Sequence, residues 1–192
     1  MAKKKHGVLK TVTETFNIFQ DGRKFNSAPQ DYILSSVISV AEAGATKERI
    51  SLNEAIGFYG HRARELADKL KPTEKEVITV DGKTIVMHTE PAIRCIAFSC
   101  DKKGNVTHTE EFLDTVDGKA ALAAYEAGNG GFSWALGGSN GLGRGVPSIA
   151  REFAGFDYVY QPNFIPLHRQ GMLLASMQAK DSHMLLSSMK EQ

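Results

Sequence analysis

This chain has little of most things that would place it quickly, and each shortage excludes something. No apolar run approaches the roughly 20 residues that a membrane-spanning helix requires, and no basic-apolar-small leader pattern opens the sequence, so neither a span nor a signal peptide is expected. There are only 2 cysteines, Cys95 and Cys100, and no CxxC pair, which removes a zinc ribbon and a disulfide framework and points to a reducing compartment. Charge of either sign is not in excess: 23 Lys and Arg stand against 22 Asp and Glu, for a net charge of +1, so no global field draws the chain to nucleic acid or to a membrane surface. The one basic run, Lys3–Lys5, reads as a solvated terminus. No internal repeat and no linker-like tract divides the 192 residues, so one domain is expected, long enough to bury a real core.

What is present is an ordinary globular composition, 42% hydrophobic and 23% charged, with its order in the local patterns. Val8–Phe19 alternates as a strand does and is followed by Asp21–Gly22. Pro29 and the apolar positions Tyr32, Ile33, Val37, Ile38 and Val40 predict a helix closed by Gly44. Ile50–Tyr59 alternates in part and reads as a strand ending at Gly60–His61, before a short charged helix over Arg62–Leu70 that stops ahead of Pro72. Val77–Val80 and Thr84–Met87 flank Asp81–Gly82, a hairpin signal. Pro91–Ser99 and Val106–Leu113 predict a strand pair, and the alanine-rich Gly118–Ala127 a helix stopped by Gly128. Phe156–Tyr160 predicts a short strand ended by Pro162. Met172–Met189 repeats Leu and Met at helical spacing. The class expected is α+β: an antiparallel sheet or barrel with helices around it.

The chemistry centres on Gly130–Gly138, GGFSWALGG, where Ser133 stands between two glycine pairs. Glycines let the backbone turn sharply and bring its N–H groups close to a bound group, so a serine exposed at such a turn suits a nucleophile beside an oxyanion hole. The backbone around Gly131, Trp134, Gly137 and Gly138, with the loop running on to Gly145, is the place to look for oxyanion donors. A nucleophilic serine needs a base. Of the six histidines, His6 and His183 lie in terminal segments, His168 lies in a polar stretch, and His88 and His108 read as outward-facing on a hairpin and its neighbour. His61 differs, because Gly60 precedes it and its ring sits where a strand gives way to a helix; histidine is the side chain suited to shuttling a proton near neutrality. An imidazole base is oriented by an acceptor, and Asp157, inside the apolar strand FDYVY, is the candidate: it is either on a solvent face or held inward by a partner. Glu65 and Asp68 are nearer in sequence but belong to the charged helix and read as surface.

In this order, GFYGH (Gly57–His61), a hairpin, a strand pair, a helix leading into G-x-S (Lys119–Ser133) and FDYVYQPNF (Phe156–Phe164), the chain resembles the tailed-bacteriophage prohead proteases, head-maturation peptidases related to herpesvirus assemblin. DGRKF at Asp21–Phe25 resembles the short polar turn before the family's helix. The resemblance spans residues 8 to 166, with two departures: Trp134 follows the serine where a small residue is common, and Pro162–Asn163 replaces Pro-Ser. It implies an assemblin-like fold with a single protease domain over residues 1–170 and a helical tail over 171–192. It implies Ser133 as nucleophile, His61 as general base and Asp157, where assemblin relatives carry a histidine, as the orienting residue. It also implies cleavage of scaffold and major capsid protein, and of the chain itself, inside an assembling prohead in the host cytoplasm, with carry-over into the virion and a homo-oligomeric form, and with no cofactor. Three other readings stand beside it. A catalytically silent scaffold or internal head protein would share the fold. GSNGLG at Gly138–Gly143 would cradle a phosphate, but no Lys-Ser/Thr follows. His88 with Glu90, or His108 with Glu110, would begin a metal site, but neither pair has a third ligand at fixed spacing.

Overall fold

The computed structural model describes residues 7–20, 31–139 and 146–165. Lys3–Lys5, His6, Asp21–Phe25, Pro29, most of GSNGLG, His168, His183 and the Leu/Met tail lie outside the described residues. The elements run β1 (Val8–Asn17), α1 (Leu34–Glu42), α2 (Gly44–Ser51), β2 (Ile56–Gly57), α3 (Arg62–Ala67), β3 (Lys75–Val80), β4 (Lys83–His88), β5 (Ile93–Cys100), β6 (Asn105–Leu113), α4 (Val116–Glu126), β7 (Gly131–Ser139) and β8 (Ile149–Val159). This is a mixed α+β fold of mainly antiparallel sheets. A four-stranded sheet has the order β1-β6-β5-β2, and β3-β4 and β7-β8 form two further pairs. The strands do not close into a barrel among the described residues, so of the two core arrangements the sequence allowed, the open sheet is the one found. Among the described residues no helix is long and apolar enough to cross a membrane.

The core lies between the inner face of the four-stranded sheet and the β7-β8 pair. Period-two alternation along β1 and β6 sends Val12, Phe16, Val106 and Phe112 inward, while Thr13 and Thr15 pair through their hydroxyls with Thr109 and Thr107 on the outer face. Phe98 stacks on Phe153 at 4.4 Å, and Phe132 meets Tyr158 edge-on at 5.2 Å. Burying each such ring is worth about 1.5–3 kcal/mol, so the aromatic layer ties β7-β8 firmly to the sheet. Helix α1 covers it with Val37, Val40 and Ala41.

Several elements differ from the sequence pattern for identifiable reasons. Gly44 opens α2 rather than closing the preceding helix; α1 ends at Glu42. Ile50 and Leu52 sit at the end of α2 rather than on a strand, and only Ile56–Gly57 pairs with β5, so partial alternation there was part of a helix face. β8 is far longer than FDYVY, because Ile149–Phe153 pairs with the glycine end of β7 across register shifts that the apolar pattern does not reveal. The Asp81–Gly82 hairpin has both turn residues at positive φ, 51° and 74°, as a two-residue type I′ turn requires. α4 begins one turn upstream of its alanine run because Thr115 caps it, accepting from Gly118 N–H at 2.8 Å and donating to Pro91 C=O at 2.8 Å.

Candidate active site

Ser133 is not at a turn. It lies within a strand, β7, which begins at Gly131, and stands directly opposite Asp157 on β8. Gly137 and Gly138 likewise belong to β7 rather than to a loop. The aromatic neighbours hold this register: Phe132 packs on Phe112, Tyr125 and Tyr158, and Trp134 packs on Phe16, Tyr32 and Phe164. Alternation therefore buries Phe132 and Trp134 on one face and leaves Ser133, half-buried, on the other. The large ring of Trp134 fills the core.

His61 reaches this face through the segment after β2. Gly57 is forced by close approach, since a Cβ there would lie 1.6 Å from Phe156 C=O. The chain then runs parallel to β8 for a single bridge, Tyr59 to Tyr158, with Tyr158 N–H donating to Phe58 C=O at 2.9 Å and Gly60 N–H donating to Tyr158 C=O at 2.8 Å. Gly60, at φ 87°, turns the chain off the strand and into α3, with His61 at the helix N-cap position.

The three side chains meet there. His61 Nδ1 lies 2.7 Å from Asp157 Oδ2, and His61 Nε2 lies 3.2 Å from Ser133 Oγ. The aspartate thus fixes the ring so that the second nitrogen faces the hydroxyl, the arrangement a general base needs to take a serine proton. The aspartate is wholly buried, whereas the histidine side chain keeps 39% of its exposure, so the outside reaches the imidazole but not the carboxylate that orients it.

Asp157 is saturated. Oδ2 accepts from His61 and from Arg64 Nε at 2.8 Å; Oδ1 accepts from Arg64 Nη2 at 2.8 Å and from Phe58 N–H at 2.9 Å. Burial alone would raise its pKa, but the hydrogen bonds from His61 and Arg64, the Arg64 charge and the Phe58 N–H outweigh burial and hold the carboxyl below its usual range. Of the two environments open to an acid in FDYVY, the structure has the inward one. Arg64 was not singled out by the sequence. It donates also to Ile56 C=O at 2.9 Å and to Leu70 C=O, and its guanidinium lies 5.0 Å over the Phe58 ring. Its signal was the i, i+3 spacing from His61, which puts both on one face of α3; a charged helix hid it. Glu65 is on the surface beside Arg62, as expected.

The remaining histidines divide. His88 is exposed on β4. His108 is not outward-facing: it is 1% exposed and stacks on Phe156 at 4.0 Å, because β6 turns its even positions inward. Burial pushes its pKa down to about 3, and Nδ1 lies 3.1 Å from Glu110 Oε1. Among the described residues no cluster of three or more His, Cys, Asp or Glu side chains could hold a metal ion, and both cysteines are free.

No family model, no curated protein and no solved structure matches the chain.

Proposed function

We propose that the chain is a serine endopeptidase acting by acyl transfer. The observation that carries this is the continuous hydrogen-bonded line Asp157–His61–Ser133, assembled from three separate parts of the chain around one half-buried hydroxyl. In the reaction Ser133 Oγ attacks a peptide carbonyl while His61 Nε2 takes its proton. The imidazolium is held by Asp157 and returns the proton to the leaving amine. Water, deprotonated by His61, then hydrolyses the acyl-enzyme. Arg64 has two roles here. It keeps Asp157 ionised and fixed in direction, and it shares the aspartate's charge, so Asp157 acts more by orienting the ring than by field.

The substrate setting follows from the resemblance to prohead proteases in the order of GFYGH, G-x-S and the Asp-containing strand. On that reading the fold is assemblin-like. The substrates are scaffold protein, major capsid protein and the chain itself, cut inside an assembling prohead in the host cytoplasm.

A fluorophosphonate probe tests the chemistry without a known substrate. The expected result is stoichiometric labelling mapped to Ser133, abolished in Ser133→Ala and slowed by about a hundredfold or more in His61→Ala, given the usual contribution of a positioned base. Labelling elsewhere, or equal labelling of wild type and Ser133→Ala, would remove the peptidase reading.

A further inference from the structure

A cleft of about 730 Å³ lies behind the residues that hold Asp157 and takes no part in the proposed reaction. It runs between the turn that joins α2 to β2 and the foot of the β3-β4 hairpin. Its floor includes the deeply buried Phe58 and Ala154, with Arg64 beside them, so it shares two residues with the cage around Asp157. Glu54, Glu74 and Glu90 also line it. Of the lining cations, Arg64 is bound to Asp157 and Lys71 to Glu152, which leaves Arg49 and His88 to face three carboxylates. None of the three forms a salt bridge among the described residues. The surplus of negative charge continues past Glu90, whose Oε2 accepts from Asp117 N–H at 3.0 Å. Burial first, and then the Glu90 charge, push the Asp117 carboxyl above its usual range, so like charges meet here without a paired cation among the described residues.

The basic run of the sequence joins the fold beside this cleft. Lys3, Lys4 and Lys5 precede Gly7, whose C=O accepts from Asp114 N–H at 2.8 Å. The next residue, Thr115, donates to the C=O of Pro91, a cleft-lining residue, at 2.8 Å. An extended chain advances roughly 3.3–3.6 Å per residue, which carries Lys5 about 7 Å and Lys3 about 14 Å from Gly7. We propose that the Lys3–Lys5 segment turns back into this cleft as its occupant, with its ammonium groups on Glu90, Glu74 and Glu54. Charge and length both fit, since three consecutive lysines meet three carboxylates that lack a cation. A lysine also lays its methylene stem along an apolar floor such as Phe58 while its head stays with a carboxylate. Single exposed ion pairs count for little, but three converging in one cleft form a network. The docked segment covers the outer side of Arg64 and keeps water from the ion pair that orients His61. This occupancy stands whether or not Ser133 is a nucleophile.

Carbodiimide coupling of the full chain tests this, because it joins an ammonium group only to a carboxylate in contact with it. The coupled chain is digested and the new bonds are mapped by mass spectrometry. Bonds from Lys3, Lys4 or Lys5 to Glu54, Glu74 and Glu90 are expected within single chains. Their yield should be unchanged by dilution and lowered at least about fivefold in ~1 M salt, where the screening length is about 3 Å. Glu54 and Glu74 are exposed, so Glu54→Lys/Glu74→Lys should keep the fold by circular dichroism. In that variant the remaining bond to Glu90 is expected to fall at least about fivefold, through like-charge repulsion of the segment. Changing Lys3, Lys4 and Lys5 to Glu in the same variant should restore coupling in the opposite sense, to positions 54 and 74. Coupling that stops at Asp114 beside Gly7, that scatters over carboxylates outside the cleft, or that is absent altogether overturns the proposal. An undiminished bond to Glu90 in the reversed-charge variant, or a swap that restores nothing, does so too. Coupling found only between chains and lost on dilution also overturns it, and makes a second copy the occupant.

Discussion

Arg64 fixes the chemistry of Asp157 more than any neighbour does. Two of its nitrogens grip the two carboxylate oxygens at 2.8 Å, and its remaining bonds go to main-chain carbonyls, so neither ion has a spare direction. Removing one partner leaves a buried charge alone. Arg64→Met is expected to destabilise the fold by about 3–5 kcal/mol in urea titration, and to lower kcat as the His61 ring loses its fixed partner. A loss below about 1 kcal/mol would contradict this account of the pair. The pH dependence has a definite sign. The folded pKa of Asp157 is depressed, so its stabilisation is full above the unfolded value of about 3.9 and is lost as pH falls through the lower folded value. In Arg64→Met that loss should begin at higher pH, read as an upward shift of the acid-unfolding midpoint. His61, Ser133 and Asp157 were legible in the sequence because each breaks its local pattern: a serine among glycines, a histidine at a strand end, an acid in an aromatic strand. Arg64 was not, because an arginine in a charged helix breaks no pattern.

Among the elements, β2 is short but decides the site, since its end delivers both Phe58 N–H to Asp157 and His61 to Ser133. Gly57 is what lets β2 approach β8. In Gly57→Ala the new Cβ would fall 1.6 Å from Phe156 C=O and 2.6 Å from Ile93 Cγ1. Neither neighbour is a flexible side-chain end, so the variant is expected to lose more than about 4 kcal/mol or fail to fold, as seen by circular dichroism and urea titration. Thr115→Ala is the contrasting case: its cap lies on α4, away from the triad, so it is expected to cost about 1 kcal/mol while kcat/KM is unchanged. The hairpin β3-β4 and the pair β5-β6 followed from turn residues and alternation. β2 and the first half of β8 did not, because a two-residue strand carries no period and the register shifts of β8 break its alternation.

At the scale of the whole molecule, the two layers are joined by aromatic rings around a buried polar pair, His108 and Glu110, placed between the four-stranded sheet and the strands bearing Ser133 and Asp157. Burial raises the Glu110 pKa well above the usual value, and the nearby Asp157 and Glu14 carboxylates raise it further. A raised folded pKa means that the full contribution is present below the unfolded value near ~4.3 and is lost as pH rises through the folded one. Glu110→Gln, which keeps a donor toward His108 without the charge, should therefore match wild type near pH ~4 and become progressively more stable than it as pH rises, read by urea titration across pH. Parallel curves would contradict a protonated Glu110.

The same assembly gives the central claim its most direct test. Wild type and Ser133→Ala are each followed by intact mass over time, alone and with the scaffold and major capsid proteins proposed above as substrates. The account predicts that wild type trims those partners or itself at defined bonds while Ser133→Ala leaves every chain at full length. Identical products from both forms, or intact chains from both, would contradict it and remove the peptidase reading.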